Sequence, residues 1–176
     1  MFKLYSIKRS DLSKNQIRSI CYLKESFWKY GIRSQLAWFK KNVHPNDINN
    51  LVYHNNEIIG YTLLRNLKVQ LKEQNKNKTI SYIWFDTLIL KKKFRGQNLS
   101  KKLMLLNSRV IKKKKCVSFL FCKKKLINFY KKNRWYIFDK KKMKNKYKKN
   151  YNLLIFNKII LKKYGFSYKK LEINFL

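Results

Sequence analysis

Apolar and polar positions along this chain follow two different periods, and the switches between them mark its elements. Residues 2–8 (FKLYSIK) alternate one for one, the pattern of a half-buried strand. Ser10 or Asp11 is positioned to cap a helix running to about Tyr30, in which Ile17, Ile20, Leu23 or Lys24, and Phe27 recur at helical spacing. A second short helix fits 33–42, and His44-Pro45-Asn46-Asp47 breaks it. Strands are predicted at 51–53 and 57–64, joined at Asn55-Asn56, a residue type that tolerates positive φ. Residues 70–79 (QLKEQNKNKT) are largely polar and predict an exposed loop, whereas 80–91 (ISYIWFDTLILK) is the most strand-like run in the chain.

Beyond Arg95-Gly96 the period becomes helical. Leu99, Leu103, Leu106 and Val110 step by 4, 3 and 4 along one apolar stripe, and Lys112–Lys115 suit the helix C-terminus. Residues 116–122 (CVSFLFC) are almost wholly apolar, as in a strand buried on both faces. A short helix over 123–133, with Leu126, Phe129 and Tyr130 on one side, precedes strands at 135–139 and 151–157; a lysine-rich loop, 140–150, separates those two. The run 158–176 is ambiguous. The order β-α-α-β-β-β-α-β-α-β-β predicts an α/β fold with a mixed, partly parallel sheet flanked by helices. At roughly 150 residues per domain, the length predicts one domain over 1–176, with 158–176 as an extension.

Composition narrows the class. Apolar residues make up 45% of the chain and aromatic ones 16%, enough to bury a core and unlike a disordered tail. No apolar run approaches the length of a membrane span, and the charged start, Met1 to Asp11, predicts an unexported, cytoplasmic protein. Cys21, Cys116 and Cys122 are odd in number and lack CxxC spacing, which argues against a disulfide framework or a zinc site. His44 and His54, ten apart, form no metal motif, so no metal is predicted.

The charge is extreme: 44 Lys or Arg against 8 Asp or Glu, a formal net charge of +36. The 37 Lys and 19 Asn stand beside one Ala, one Pro, four Gly and seven Arg, the pattern that AT-rich codons impose. Whatever its origin, such a surface attracts polyanions, so nonspecific nucleic-acid binding is expected. A basic nucleic-acid-binding protein without enzymatic activity is therefore the competing class. Against it, the lysine runs at 91–93, 112–115, 123–125 and 140–150 are scattered rather than gathered on one helix.

Phe94-Arg95-Gly96-Gln97-Asn98-Leu99-Ser100 lies between a strong strand and a strong amphipathic helix. A loop entering a helix presents free N–H groups and the positive end of the macrodipole, a ready anion site. Taken alone, it is equally an ordinary β-to-α turn. Together with the element order and the later Leu126-Ile127-Asn128-Phe129-Tyr130-Lys131-Lys132…Trp135, it resembles the GNAT acetyltransferase superfamily over about residues 2–157. That family's acetyl-CoA loop reads [Q/R]-x-x-G-x-[G/A]. Here Arg95 opens it, Asn98 stands for the first Gly and Ser100 for the closing Gly or Ala. Phe129, Tyr130, Lys132 and Trp135 match the family's FY-x-K-x-G-[F/W] stretch, with Arg134 in place of its Gly; Lys92 replaces a customary Pro.

The resemblance implies an N-acetyltransferase that moves acetyl from acetyl-CoA to a primary amine of a small molecule or peptide. It implies that acetyl-CoA lies between splaying strands 80–91 and 116–122. Leu88, Ile89 and Leu90 would pair with the pantetheine arm. Arg95, Gly96, Gln97, Asn98, Leu99, Ser100 and Lys101 would receive the pyrophosphate. It implies Tyr130 as the acid that protonates the leaving thiolate. Asp86, nine residues before Arg95, would be a base or would anchor a proton-relay water. Asp86 is equally readable as a structural carboxylate at a strand edge, and Tyr130 as an aromatic packed beside Phe129. A fold that has lost catalysis is the remaining alternative. The acceptor site would fall to residues 10–44 and 139–151, which carry no pattern that names a substrate.

Overall fold

The computed structural model describes residues 1–139, 143–144, 151–168 and 170–176. The elements run β1 (Phe2–Lys8), α1 (Lys14–Glu25), α2 (Ile32–Asn42), β2 (Ile48–His54), β3 (Glu57–Glu73), β4 (Lys76–Leu90), α3 (Leu99–Lys113), β5 (Ser118–Cys122), α4 (Ile127–Lys132), β6 (Tyr136–Ile137), β7 (Met143–Lys144), β8 (Asn152–Phe156), α5 (Ile159–Lys163) and β9 (Glu172–Phe175). This is the predicted order with β7, α5 and β9 added. Among the described residues the strands form one mixed sheet in the order β1-β2-β3-β4-β5-β8-β6, with β9 beside β3 and β7 beside β9. β4 and β5 run parallel, in register at Ile83–Ser118 and Trp84–Phe119, while β1–β2, β2–β3 and β5–β8 are antiparallel. No helix among the described residues is long and apolar enough to cross a membrane.

The chain divides into two compact units. One comprises Met1–Arg65 and Asp86–Ser108, the other Asn66–Phe85 and Arg109–Leu176.

In the first unit, Ser13 caps α1, rather than Ser10 or Asp11. Its hydroxyl accepts from Gln16 N–H and the Gln16 side chain accepts from Ser13 N–H, a complete capping box. Ser10 and Asp11 belong to a preceding 3₁₀ turn, and α1 ends at Glu25, short of Tyr30. Neighbouring strand residues face opposite ways, so Leu51 and Val52 enter different cores. Leu51, Tyr61, Leu63 and Ile89 pack with Ile20 and Leu23 of α1 and Phe39 of α2. Val52, Ile59 and Leu90 pack with Phe94 and with Leu99 and Leu103 of α3.

A buried polar network fixes α3. Asn107 is 1% exposed. Its Oδ1 accepts from Asn50 Nδ2 at 2.8 Å and from Thr62 Oγ1 at 2.9 Å, and its Nδ2 donates to Leu103 O at 2.6 Å. Asn50 in turn accepts from Ser6 Oγ of β1.

In the second unit the predicted loop at 70–79 is instead a hairpin. β3 continues to Glu73, β4 starts at Lys76, and Gln74, at φ 50°, turns the chain between them. Val69 and Leu71 are fully buried within an otherwise polar run, and β9 pairs along Val69–Lys72. The core gathers these with Phe119, Leu153, Ile155, Leu161, Phe166 and Ile173, so the ambiguous C-terminal run supplies core residues. The strands predicted at 135–139 and 151–157 are shorter, and of the lysine-rich 140–150 only β7 is among the described residues.

α4 ends in a Schellman motif: Trp135 N–H donates to Tyr130 O at 3.1 Å and Arg134 N–H to Lys131 O at 3.0 Å. Arg134, at φ 65°, takes the left-handed position usual for Gly, and Asn133, at φ −98°, is the cap before it.

Replacing Asn107 with Leu strands the buried Asn50 donor and the Thr62 hydroxyl. Each unmet group costs about 1–3 kcal/mol. Urea unfolding of Asn107→Leu is expected to show a loss of at least that for one group; a loss under about 0.5 kcal/mol would mean the network carries no weight.

Candidate functional site

The loop that leaves β4 is built from the apolar side inward. Lys91 N–H donates to Ile59 O at 2.9 Å, holding the strand end against β3. Phe94 is buried, edge-on to Phe2 and beside His54, which makes that histidine a packing residue. Leu99, the first residue of α3, is 1% exposed. Pinned at Phe94 and Leu99, residues 95–98 stand out into solvent.

Their backbone does what the sequence pattern requires. Gly96 has φ 83°, and a Cβ there would meet nothing within 4 Å, so its glycine serves conformation and leaves open space above it. Asn98 has φ 57°, the left-handed geometry that Asn adopts at small cost. Asn98 O accepts from Lys102 N–H at 3.0 Å. The N–H groups of Leu99, Ser100 and Lys101 therefore begin the helix with no carbonyl a turn earlier. Arg95 Nε donates to Leu90 O at 3.4 Å and its guanidinium lies 5.5 Å from the Phe27 ring, so that side chain braces the loop. Ile89 packs with the α1–α2 core, Leu88 and Leu90 with the α3 core. Their side chains are thus committed, and only their backbone is left for a ligand.

A second group gathers around Asp86, also in the first unit. Asp86 Oδ2 accepts from Arg65 Nη1 at 3.2 Å and Oδ1 from Thr87 Oγ1 at 3.1 Å. Asp86 and Thr87 border a cavity of about 350 Å³ whose walls include Lys24, Trp28, Tyr30 and Trp38. Gln35, also at the wall, donates from Nε2 to Trp28 O at 2.8 Å, joining α2 to the turn after α1. Lys24 is 6% exposed, with Nζ 3.7 Å from the Trp38 ring centroid, and the Arg65 guanidinium lies 5.8 Å from the same ring. Burial lowers the Lys24 pKa, and the Asp86 carboxylate partly opposes that. Beside it, burial pushes the Cys21 thiol up to about 11. Of three larger hollows, two of about 600 Å³ have no acidic residue among their described walls, and one of about 440 Å³ is bordered by Glu57, whose carboxylate is paired with Lys91.

Tyr130 belongs to the second unit. It is 6% exposed, and its ring lies 5.1 Å from Phe129 and 6.2 Å from both Phe85 and Trp135. Burial, with the Cys122 thiol nearby, pushes its hydroxyl pKa well up, so it keeps its proton at neutral pH. Among the predicted site residues, then, the loop from Leu88 to Lys101 and Asp86 belong to the first unit and Tyr130 to the second.

Sequence reasoning missed Lys24, Trp28, Trp38 and Arg65. The signal was present as a lysine on the apolar stripe of α1, followed by three large aromatics in 28–38.

No protein-family model matches the chain, and no curated protein matches it by sequence. Solved structures do. Escherichia coli ElaA superposes with a TM-score of 0.62 at 13% identity, over 88% of this chain and 99% of that one. An acyl-CoA N-acyltransferase from Pseudomonas aeruginosa gives 0.65 at 9% identity, over 88% and 99%. The PaiA N-acetyltransferase of Thermoplasma acidophilum, in complex with coenzyme A, gives 0.55 at 15%, over 87% and 98%. The fold is that of the GNAT acetyltransferase superfamily.

If Asn98 serves its left-handed φ, Asn98→Gly should leave stability unchanged or slightly raised. Asn98→Val should cost about 1–2 kcal/mol in thermal or urea unfolding. Equal stability of the two variants would show that the turn does not constrain this residue.

Proposed function

We propose that this chain is an acetyl-CoA-dependent N-acetyltransferase acting on a primary amine. The observation that carries the reading is the exposed turn at 95–98. Its two left-handed residues open into the first turn of α3, within a fold whose solved relatives include acyl-CoA enzymes.

The residues present fit the cofactor. Above Gly96 there is open space for a phosphate to approach the backbone, and the N–H groups of Leu99, Ser100 and Lys101 point along the helix axis with its dipole. The Ser100 hydroxyl adds a donor where the family pattern has Gly or Ala. Backbone groups of Leu88 to Leu90 would hold the pantetheine arm. The chemistry acetyl-CoA supplies is an activated acyl group: the amine nitrogen bonds to the carbonyl carbon as the C–S bond breaks, releasing a thiolate.

The chain's part is proton management and placement. The nitrogen must be neutral to attack and must lose a proton afterwards. Asp86 is the acceptor of that proton, directly or through a water. Its carboxylate is oriented by Arg65 and Thr87 and borders the cavity that would admit the amine. Tyr130 supplies a proton to the departing sulfur; the burial that raises its pKa keeps it in the form that can donate. The competing reading, a nucleic-acid-binding protein without activity, rests on charge alone.

At a hundred times its dissociation constant acetyl-CoA should stabilise the protein by about 2.7 kcal/mol in a thermal-shift titration. The rise should exceed that from ADP or pyrophosphate, which any +36 chain will attract. An equal rise from all three would reduce the loop to a general anion site. With an acceptor in hand, Tyr130→Phe should lower kcat and kcat/KM together by at least ~100-fold while acetyl-CoA affinity holds. Asp86→Asn should alter the pH–rate profile. Near wild-type turnover in Tyr130→Phe would make Tyr130 a core residue.

A further inference from the structure

Lys24 is nine-tenths buried, lines the cavity at Asp86, and makes no ion pair or side-chain hydrogen bond among the described residues. Its ammonium rests on the face of Trp38. A buried charge is costly unless it is paired, and a cation–π contact answers only part of that cost. The nearby carboxylate answers it only in part, because Asp86 is also bridged to Arg65. The Arg65 Nε is itself buried without a partner. The cavity walls thus carry one carboxylate and one cation; Arg65, outside the walls, already pairs with that carboxylate, which leaves the excess positive charge at Lys24.

We propose that the acceptor taken by this cavity is an amine carrying an anionic group, a carboxylate or a phosphate, and that Lys24 recognises that group while Asp86 and Thr87 receive the amine. The acceptor half of this inference rests on the acetyltransferase reading; anion recognition by Lys24 does not.

The arrangement also selects against other amines. A polyamine or an aminoglycoside carries a cation on every arm. It would approach a +36 protein and then enter a site whose free charge is positive. An amine bearing an anion has both ends matched. The walls from Trp28, Tyr30 and Trp38 give its body apolar surface. A volume of about 350 Å³ suits a small molecule or the first residues of a peptide.

The test uses the full chain and matched pairs: leucine against leucinamide, phosphoethanolamine against ethanolamine, and 1,4-diaminobutane as the dication. Binding is read by fluorescence of the cavity tryptophans, and transfer by acetyl-CoA consumption. All measurements are made at high salt to screen the surface charge. At least one anion-bearing member should bind about tenfold or more tightly than its partner without the anionic group. Which pair discriminates tells carboxylate from phosphate.

Lys24→Gln should collapse the preference to below about twofold, and Lys24→Arg should keep it. Lys24→Gln removes one of 44 basic side chains, so a preference born of overall charge would survive it. Lys24→Met keeps the stem over Trp38 and stands in if the Gln variant does not fold. The proposal is overturned if the amide, ethanolamine or the diamine binds as well as the anionic amines. It is equally overturned if no pair binds, or if the preference survives the loss of the Lys24 charge. Should the preference hold and depend on Lys24 while acetyl-CoA fails to bind, the transferase reading falls and the anion site stands. Rapid acetylation of the diamine gives the reverse.

Discussion

Asn107 must satisfy three partners at once, on α3 itself, on β2 and on β3, and it does so with no access to water. An apolar contact can slide by a fraction of a turn at small cost. A buried amide cannot, because any rotation of α3 would leave a donor or an acceptor unmet. The network therefore fixes both the rotation and the axial position of the helix on its sheet. The helix start in turn aims its free N–H groups out of the fold, with Leu99 and Leu103 packed beneath. A close approach supports the same end. A Cβ on Gly60 would lie 3.1 Å from Leu90 Cδ1 and 3.1 Å from Val52 Cγ2, so glycine lets the end of β4 seat against β2 and β3.

What could be seen in the sequence were features carried by one stretch of chain. The 4-3-4 leucine stripe marked α3, the β-branched and aromatic run marked β4, and the strand-loop-helix junction marked Gly96 and Asn98. Asn98 was readable because the requirement is local: one residue, one φ, and a side chain that tolerates it. Ser13 was overlooked for a nearby reason. Ser10, Asp11 and Ser13 are all cap formers, and only the partner at Gln16 decides among them.

What stayed hidden depends on pairing between distant segments. Val69 and Leu71 sit in a polar run whose burial comes from β9, about a hundred residues later, so the run reads as a loop. The Asp86 group has the same character. Lys24 stands beside Leu23 on the apolar stripe of α1, and no sequence pattern sets Arg65 apart from the other cations. Only the fold brings both to the Trp38 ring and leaves one carboxylate between them. Codon bias deepens the problem. Where 44 residues are basic, a buried lysine carries no compositional mark, and only the fold shows its burial.

The central claim is that the amides opening α3 receive the diphosphate of acetyl-CoA. Hydrogen–deuterium exchange on the full chain, with and without acetyl-CoA, addresses those amides directly. The account predicts that amides 99–101, fast-exchanging in the free protein, become protected on binding, together with amides 88–90, while exchange at the lysine runs 112–115 and 123–125 is unchanged. Protection confined to the lysine runs, with amides 99–101 exchanging as before, would contradict it.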